Sequence, residues 1–421
     1  MTNQHQEALS ELTEPFDAAV VGAGPAGLSA ALALASTGAR TLCAGPPFNP
    51  DATRPDTRTT ALLAGSVQLL VNIGVWPLCA AAAAPLETIR IIDDTGWVLR
   101  APEVEFQAAE LGLEAFGYNI PNTALVAAME TRARDLSNLH YIRTSGVERI
   151  EPGANTVRLV LAEGAQIEAR LVAGADGRRS ISRRAAGIST RAWSYDQAVI
   201  ACNFDHALSH EGVSNEFHHP AGPFTTVPLP GRSSSLVWVE RPSEIKRLMA
   251  LDDEAIARAI EANLHGLLGS IANVGPRASF ALSGLTASQL AARRIALIGE
   301  AAHVIPPIGA QGLNLGFRDA ATLAEHVATA LAAGADPGGD DVIRGYDRAR
   351  ARDVASRTYA VDILNRSLLS DFLPVRLARG LGLHLLKSIA PLRQFVMRQG
   401  LAPTADMPVL MRQNSGAALQ S

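Results

Sequence analysis

Along most of the chain, short unbroken apolar runs alternate with stretches of helical spacing. Asp17 to Val21 is such a run, and Leu28 to Ser36 after it is rich in helix formers. Arg40 to Ala44 reads as a second strand, and Ala61 to Ile73 as a helix. Thr88–Arg100 alternates about Asp93-Asp94-Thr95-Gly96, the pattern of a hairpin. Phe116–Ile120 predicts a short strand, with Asn122 as N-cap of a helix over Thr123–Leu136. Thr156–Leu161, Ile167–Ala173 and Ile295–Ile298 read as further strands, and Leu313–Ala333 as a helix. Strands alternating with helices in this way predict an α/β fold built on a parallel sheet.

Residues 190–290 break the alternation. Gln197–Phe204, Phe224–Leu229 and Ser235–Glu240 are strand-like, with one helical stretch at Asp252–Leu267. An antiparallel sheet inserted between the α/β pieces is expected there, and such an insert is where a substrate pocket would be built. Beyond Gly345, Tyr346 to Gln399 predicts two or three helices. An apolar stripe there (Leu364, Leu368, Leu377, Leu381, Leu385, Ile389) runs among arginines.

A length of 421 residues suits two domains or one large domain with an insertion, and 48% hydrophobic content supports a sizeable core. The net charge of −4 is unevenly spread. From Arg344 to Ser421 twelve Lys and Arg face five Asp, so the rest of the chain is strongly acidic. That basic end suggests contact with an anionic membrane surface or an acidic protein. No long basic run is interleaved with aromatics, which argues against nucleic acid. Cys43, Cys79 and Cys202 are scattered and odd in number, against a disulfide framework or a metal site and in keeping with a reducing cytoplasm. The polar, acidic start is unlike a signal peptide.

Three stretches carry candidate chemistry. Gly22-Ala-Gly24-Pro25-Ala26-Gly27 lies between a strand and a helix, the context in which GxGxxG binds a dinucleotide. One glycine makes the turn, one admits the pyrophosphate, and one lets helix and strand pack. The acid expected at the end of the second strand, for the ribose hydroxyls, is replaced by Gly45. Gly174-Ala-Asp176-Gly177 ends another strand, and its Asp can bond a ribityl or ribose hydroxyl. Ser180, Arg183 and Arg184 then open a helix. The third stretch, Arg294 to Asp319, runs strand, Gly/Pro loop, helix. The unpaired N–H groups and positive end of that helix make a seat for an electron-rich ligand.

In this order and spacing, GAGPAG at 22–27, GADG at 174–177 and GEAAH…GLNLG at 299–316 resemble the aromatic-ring flavoprotein monooxygenases that fold like p-hydroxybenzoate hydroxylase. The finer pattern is similar to their ubiquinone-biosynthesis hydroxylase branch. It includes Arg58-Thr-Thr-Ala-Leu62, Phe116-Gly-Tyr118, Trp193 to Gln197, Gly222-Pro223 and Val237-Trp238. The resemblance implies a Rossmann-like FAD-binding domain from residues 16–85, 120–190 and 290–345. It implies a substrate domain from 86–119 and 191–289, C-terminal helices over 346–400, and a loose tail over 401–421.

It also implies FAD held by Gly22, Gly24, Pro25, Ala26 and Gly27, with Arg58 beside the pyrophosphate and Asp176 and Gly177 near the flavin. Gly299 and Glu300 stand where the family has Gly-Asp, and Gly312, Leu313 and Asn314 would meet the flavin pyrimidine edge. NAD(P)H and dioxygen would be co-substrates, and one oxygen would reach the ring by way of a flavin hydroperoxide. No general base is singled out, and His303 is the one titratable candidate embedded in a motif. The implied substrate is a polyprenylated phenol or quinol precursor of ubiquinone. A ubiquinone-biosynthesis assembly and the inner face of the membrane are the implied surroundings of a cytoplasmic enzyme.

Two rivals stand beside this reading. A hydroxylase of small aromatic acids would need a small pocket with an Arg for the carboxylate, not a long apolar tunnel. A non-catalytic flavin-binding subunit is left open by Gly45, Glu300 and the altered loop Pro307 to Gly312.

Overall fold

The computed structural model describes residues 14–47, 56–96, 102–307, 309–369, 373–400 and 407–413. The chain begins with β1 (Phe16–Val21), α1 (Pro25–Ser36) and β2 (Thr41–Gly45). All but one residue of these two strands are buried, as continuous apolar runs in a covered parallel sheet must be. Pro25 sits in the first turn of α1, where its missing N–H costs nothing. Then come β3 (Thr59–Leu63), α2 (Ala64–Asn72), β4 (Thr88–Asp93), β5 (Val104–Gln107) and β6 (Gly117–Pro121). They are followed by α3 (Asn122–Arg134), β7 (Leu139–Arg143), β8 (Gln166–Gly174) and the short α4 (Ile181–Ala185).

The insert holds β9 (Thr190–His206), β10 (Val213–His219), β11 (Gly222–Leu229) and β12 (Ser233–Glu240). Helices α5 (Pro242–Met249) and α6 (Asp253–Asn263) and strand β13 (Ala278–Ala287) complete it. The chain then returns through β14 (Ile295–Leu297) to α7 (Gln311–Ala332), α8 (Asp340–Leu369), α9 (Leu373–Ser388) and α10 (Ala390–Gly400).

Strands β14, β8, β1, β2 and β7 pair in parallel, in that order. Val147–Pro152 and Val157–Leu161 extend this sheet as an antiparallel flap on β8. The insert forms a second sheet in the order β13, β9, β12, β11, β10, β4, β5. Each sheet has its own core, one around Leu28, Leu32 and Phe317, the other around Phe204, Phe217 and Trp238. A small third core joins β5 to the C-terminal helices through Phe106, Leu383 and Met397.

Several expectations are corrected. Ala61 to Leu63 are strand, because β3 pairs with β6 and the helix can begin only at Ala64. Asn122 is the first residue of α3, with Pro121 as its N-cap. The Asn122 amide instead joins Thr60 and Asp56. The expected hairpin finds its second arm in β5, beyond Arg100, with residues 97–100 outside those described, and β4 pairs in parallel with β10, more than a hundred residues away. Strands β7, β10 and β13 and helix α5 were not foreseen. The tail expected to be loose is folded over 407–413, where Met411 is buried against the first core. Leu364, Leu368 and Leu377 of the apolar stripe lie outside the side chains described.

Candidate functional site

The first cradle forms where β1 hands over to α1. Gly22 has φ +109°, and a Cβ there would run into the Ala175 carbonyl. A Cβ on Gly27 would strike the Gly22 carbonyl, so helix and strand close on each other only because both residues lack one. Gly24, by contrast, faces open space and lines the cavity with Pro25, Ala26 and Gly27. No side chain caps α1, so its first N–H groups are left for a ligand. The end of β2 is equally tight. A Cβ on Gly45 would come within 2.6 Å of the Ala23 nitrogen, so the side chain that usually holds the ribose has no room.

The second cradle lies between β14 and α7. Gly299 (φ +59°) packs against Ala26, and Gly316 of α7 comes close enough that a Cβ would meet the Gly299 Cα at 3.3 Å. Gly309 and Ala310 both take left-handed backbone, turning the loop into α7 without a side-chain cap. Gly312 faces open space and, with Leu313, lines the same cavity. That cavity, about 2350 Å³, runs continuously past both helix N-termini to the inner face of the second sheet. Two uncapped helix starts beside glycines that leave room for a flat or anionic group fit the two ends of FAD.

The remaining expected residues divide. Arg58 and Glu300 line the cavity, and Arg58 is bound to Asp56 at 2.7 and 2.8 Å. That hydrogen bond, and at longer range the Glu300 charge, raise the guanidinium further above its ordinary value. Gly177 (φ +74°) lines the cavity too. The Asp176 carboxylate is turned inward. It accepts from the Ser180 hydroxyl and from the backbone N–H groups of Ile181 (2.7 Å) and Ser182 (2.9 Å), and so holds the start of α4. The Asn314 amide is likewise committed: its oxygen accepts from Leu63 N–H and its nitrogen donates to the Ala61 and Ala310 carbonyls, tying β3 to α7.

His303 is not a cavity residue. It is buried, with Nε2 2.7 Å from the Asp319 carboxylate. Asp319, fully buried, also accepts from Gly299 N–H (3.0 Å) and from Arg350 Nε (2.7 Å). Arg350, Arg318 and Arg357 converge on Asp353, and Arg357 reaches the Gln311 side chain at 2.9 Å. Burial by itself would raise the Asp319 carboxyl, but the charges of His303 and Arg350 prevail and hold it below its ordinary value. The network pins both ends of the loop between β14 and α7. Its one trace in the sequence is the helical spacing of Arg350, Asp353 and Arg357.

Sequence reasoning also missed the far wall. The second sheet lines the cavity with Ile89, Ile91, Phe106, Val227, Val237 and Leu282, interspersed with Ser214, Thr225, Ser235 and Glu216. None of the described residues that this sheet contributes is a cation. Phe395 to Gly400 of α10 close the outer end.

The family described as "FAD binding domain" matches residues 16–359. Ubiquinone hydroxylase UbiL of Rhodospirillum rubrum is 34% identical over 403 residues, covering 94% of this chain and 92% of that protein. The 3-demethoxyubiquinol 3-hydroxylase of Escherichia coli is 31% identical over 393 residues, 92% of this chain and 99% of the relative. Among solved structures, p-nitrophenol 4-monooxygenase PnpA of Pseudomonas putida superposes with a TM-score of 0.73 at 20% identity, covering 91% of this chain and 98% of that one. Klebsiella pneumoniae HpxO, solved with FAD and uric acid, gives 0.69 at 16% identity over 93% and 97%. The two structures share the fold.

Proposed function

The chain belongs to the FAD-dependent aromatic-ring monooxygenases, in the branch of the ubiquinone-biosynthesis hydroxylases, and on that premise we propose that it hydroxylates the ring of a polyprenylated phenol or quinol precursor. The observation that carries the substrate class is the far wall. A small aromatic acid needs a cation for its carboxylate, and the described residues of the second sheet offer the cavity none. They offer apolar surface joined to α10 through Phe106 and Met397, the surroundings a prenyl chain requires. The cations that line the cavity, Arg178 and Arg398 among them, come from other elements.

FAD would lie with its pyrophosphate on the N–H groups of Gly24, Ala26 and Gly27, backed by Gly22 and flanked by Arg58. Its ring would rest against Gly312, Leu313 and the backbone of Asn314. Asp176 and Gly177 would shape the turn beside it, and Gly299 and Glu300 the loop behind. When bound, FAD takes a hydride from NAD(P)H and activates dioxygen for insertion into the ring. The protein's share is to hold the ring against the cofactor and keep water out. The positive start of α7 would stabilise negative charge at the pyrimidine edge.

Gly24→Glu tests the cradle. Nothing of the protein lies within 4 Å of the added Cβ, so the fold should persist. The carboxylate would occupy the pyrophosphate seat, and the variant should purify colourless. A yellow variant after gel filtration would contradict the placement. The function itself is tested by the quinone profile of a deletion strain, which should accumulate a prenylated ring lacking one hydroxyl. A normal quinone content would refute it.

A cytoplasmic enzyme docked on an anionic membrane surface accords with Leu381 and Leu385 of α9, Phe395 of α10 and Ile389 between them, all exposed beside Lys387 and Arg398. Among the described residues no helix is long and apolar enough to cross a membrane.

A further inference from the structure

Strand β10 alternates between the second core and the cavity. Phe217 points into the second core, while Ser214 and Glu216 line the cavity and His218 follows on the same face. Glu216 lies in register between Ile91 of β4 and Thr225 of β11, so it stands on an uncharged stretch of wall. Of the described residues this sheet gives the cavity, it is the only one that ionises. One carboxylate oxygen, Oε1, is held at 2.8 Å by Nε2 of His218, which is itself buried. Among the described residues none bonds Oε2, and the residue borders the cavity.

We propose that Glu216 is the general base for the ring hydroxyl of the substrate, with His218 as the residue that positions it. The proposal rests on the functional reading above, since it requires a phenol in the cavity. The phenol O–H donates to Oε2 while His218 keeps the carboxylate from turning away. As the ring carbon forms a C–O bond to one atom of the dioxygen that bound FAD would activate, the O–O bond breaks and its other oxygen leaves with the electron pair to become water. The phenol O–H bond breaks in the same step, its proton passing to Glu216 and its electron pair becoming the C=O of a dienone. The hydrogen on the newly hydroxylated carbon then leaves to water, its electrons restore aromaticity, and the carbonyl oxygen takes the proton back from Glu216. Overall, ring C–H, dioxygen, NAD(P)H and one proton become ring C–OH, NAD(P)⁺ and water.

A carboxylate suffices for this step. A phenol with a pKa of about 10 will not surrender its proton beforehand, but the proton becomes far more acidic than a carboxylic acid once the C–O bond is forming. The same carboxylate would repel an anionic substrate, which agrees with a wall that lacks a cation.

Other charges near Glu216 do not compete for the role. On the two strands packed against β10, β11 carries no titratable side chain, and β4 carries Arg90 and Asp93. Arg90 is turned to the opposite face, bound to Glu105 and Asn215, and Asp93 lies beside His218 in register. The remaining ionisable groups of the cavity come from the cofactor-side loops and from α7 to α10 and the segment after them.

The test is the pH profile of Glu216→Gln with a prenylated phenol, on protein checked for wild-type FAD content and melting temperature. The variant should lose about 100-fold in kcat near neutral pH. It should then regain about tenfold per pH unit as the free phenol ionises towards its pKa of about 10. Wild type should be flat from slightly acid to mildly alkaline pH. A variant within threefold of wild type, with a flat profile, overturns the role. If Glu216→Gln loses FAD, Glu216→Asp decides: the proposal requires a reduced rate with a wild-type-shaped profile, and an unchanged rate refutes it. Wild type that turns over no phenol sinks the functional reading, whereas normal wild-type turnover with an indifferent variant sinks this role alone.

Discussion

Asp319 and Glu216 are both carboxylates of the interior, and the fold treats them in opposite ways. Asp319 has no exposed surface, and both its oxygens are engaged by His303, Arg350 and the Gly299 N–H. Glu216 borders a cavity and has one oxygen held by a single histidine. A carboxylate whose bonds are all made is architecture, since nothing remains with which to meet a ligand. One with an unused oxygen, on a residue that borders a large cavity, is equipped for chemistry. The contrast also explains why the histidine embedded in the motif is a poor catalyst candidate and a good clamp.

The contrast breaks most directly at Asp319. Asp319→Ala leaves Arg350 buried without its main partner, and urea unfolding should show a loss of about 3–5 kcal/mol. A loss below about 1 kcal/mol would mean the network is ornamental. Glu216→Gln should instead leave stability within about 0.5 kcal/mol of wild type, because its amide oxygen can still accept from His218 Nε2.

Acid sharpens the same point. The folded-state carboxyls of Asp319 and Asp353 are held below their ordinary values. Burial opposes this in each case and the surrounding cations prevail. A depressed folded pKa adds stability above the unfolded value of about 3.9 and loses it as pH falls towards the folded value. Unfolding free energy should therefore fall steeply below about pH 4, and Asp319→Ala should flatten that slope. An unaltered slope in the variant would show that other groups govern acid unfolding.

Weaker effects are expected at the outer end of the cavity. Arg393 binds Glu110 at 2.7 Å with both side chains about four-fifths buried, and so ties α10 to the segment after β5. Arg393→Ala should cost about 1–2 kcal/mol and speed hydrogen exchange in α9 and α10. Exchange unchanged there would show that the apolar contacts of Leu383 and Met397 suffice. The smallest effect on the fold belongs to the exposed Leu381 and Phe395. Changing both to Ser should alter stability by less than about 0.5 kcal/mol yet reduce co-sedimentation with anionic liposomes. Equal co-sedimentation would count against membrane docking.

The legible parts of this molecule are those where local spacing and chemistry agree. The GxGxxG turn, the glycine loop before α7 and the alternation of strand and helix all announce themselves within a few residues. The illegible parts depend on partners far along the chain. Nothing near Thr88 indicates that β4 will pair with β10, and nothing near Ala61 shows that pairing with β6 will override helix propensity. The Asp176 side chain is expected to meet a sugar hydroxyl, and His303 to be a titratable candidate beside the flavin loop. Each is instead occupied by backbone or by a buried charge. Glu216 went unnoticed because a single acid in a strand of alternating polarity reads as a solvated face until the cavity behind it is seen.

The central claim is that this cavity delivers one oxygen atom of dioxygen to a neutral prenylated phenol. The most direct measurement supplies FAD-loaded protein with NAD(P)H, a prenylated phenol and isotopically labelled dioxygen, and reads the product by mass spectrometry. The account expects one labelled oxygen on the ring for each NAD(P)H consumed, with little peroxide. NAD(P)H oxidation that yields only peroxide, whatever phenol is offered, would contradict it.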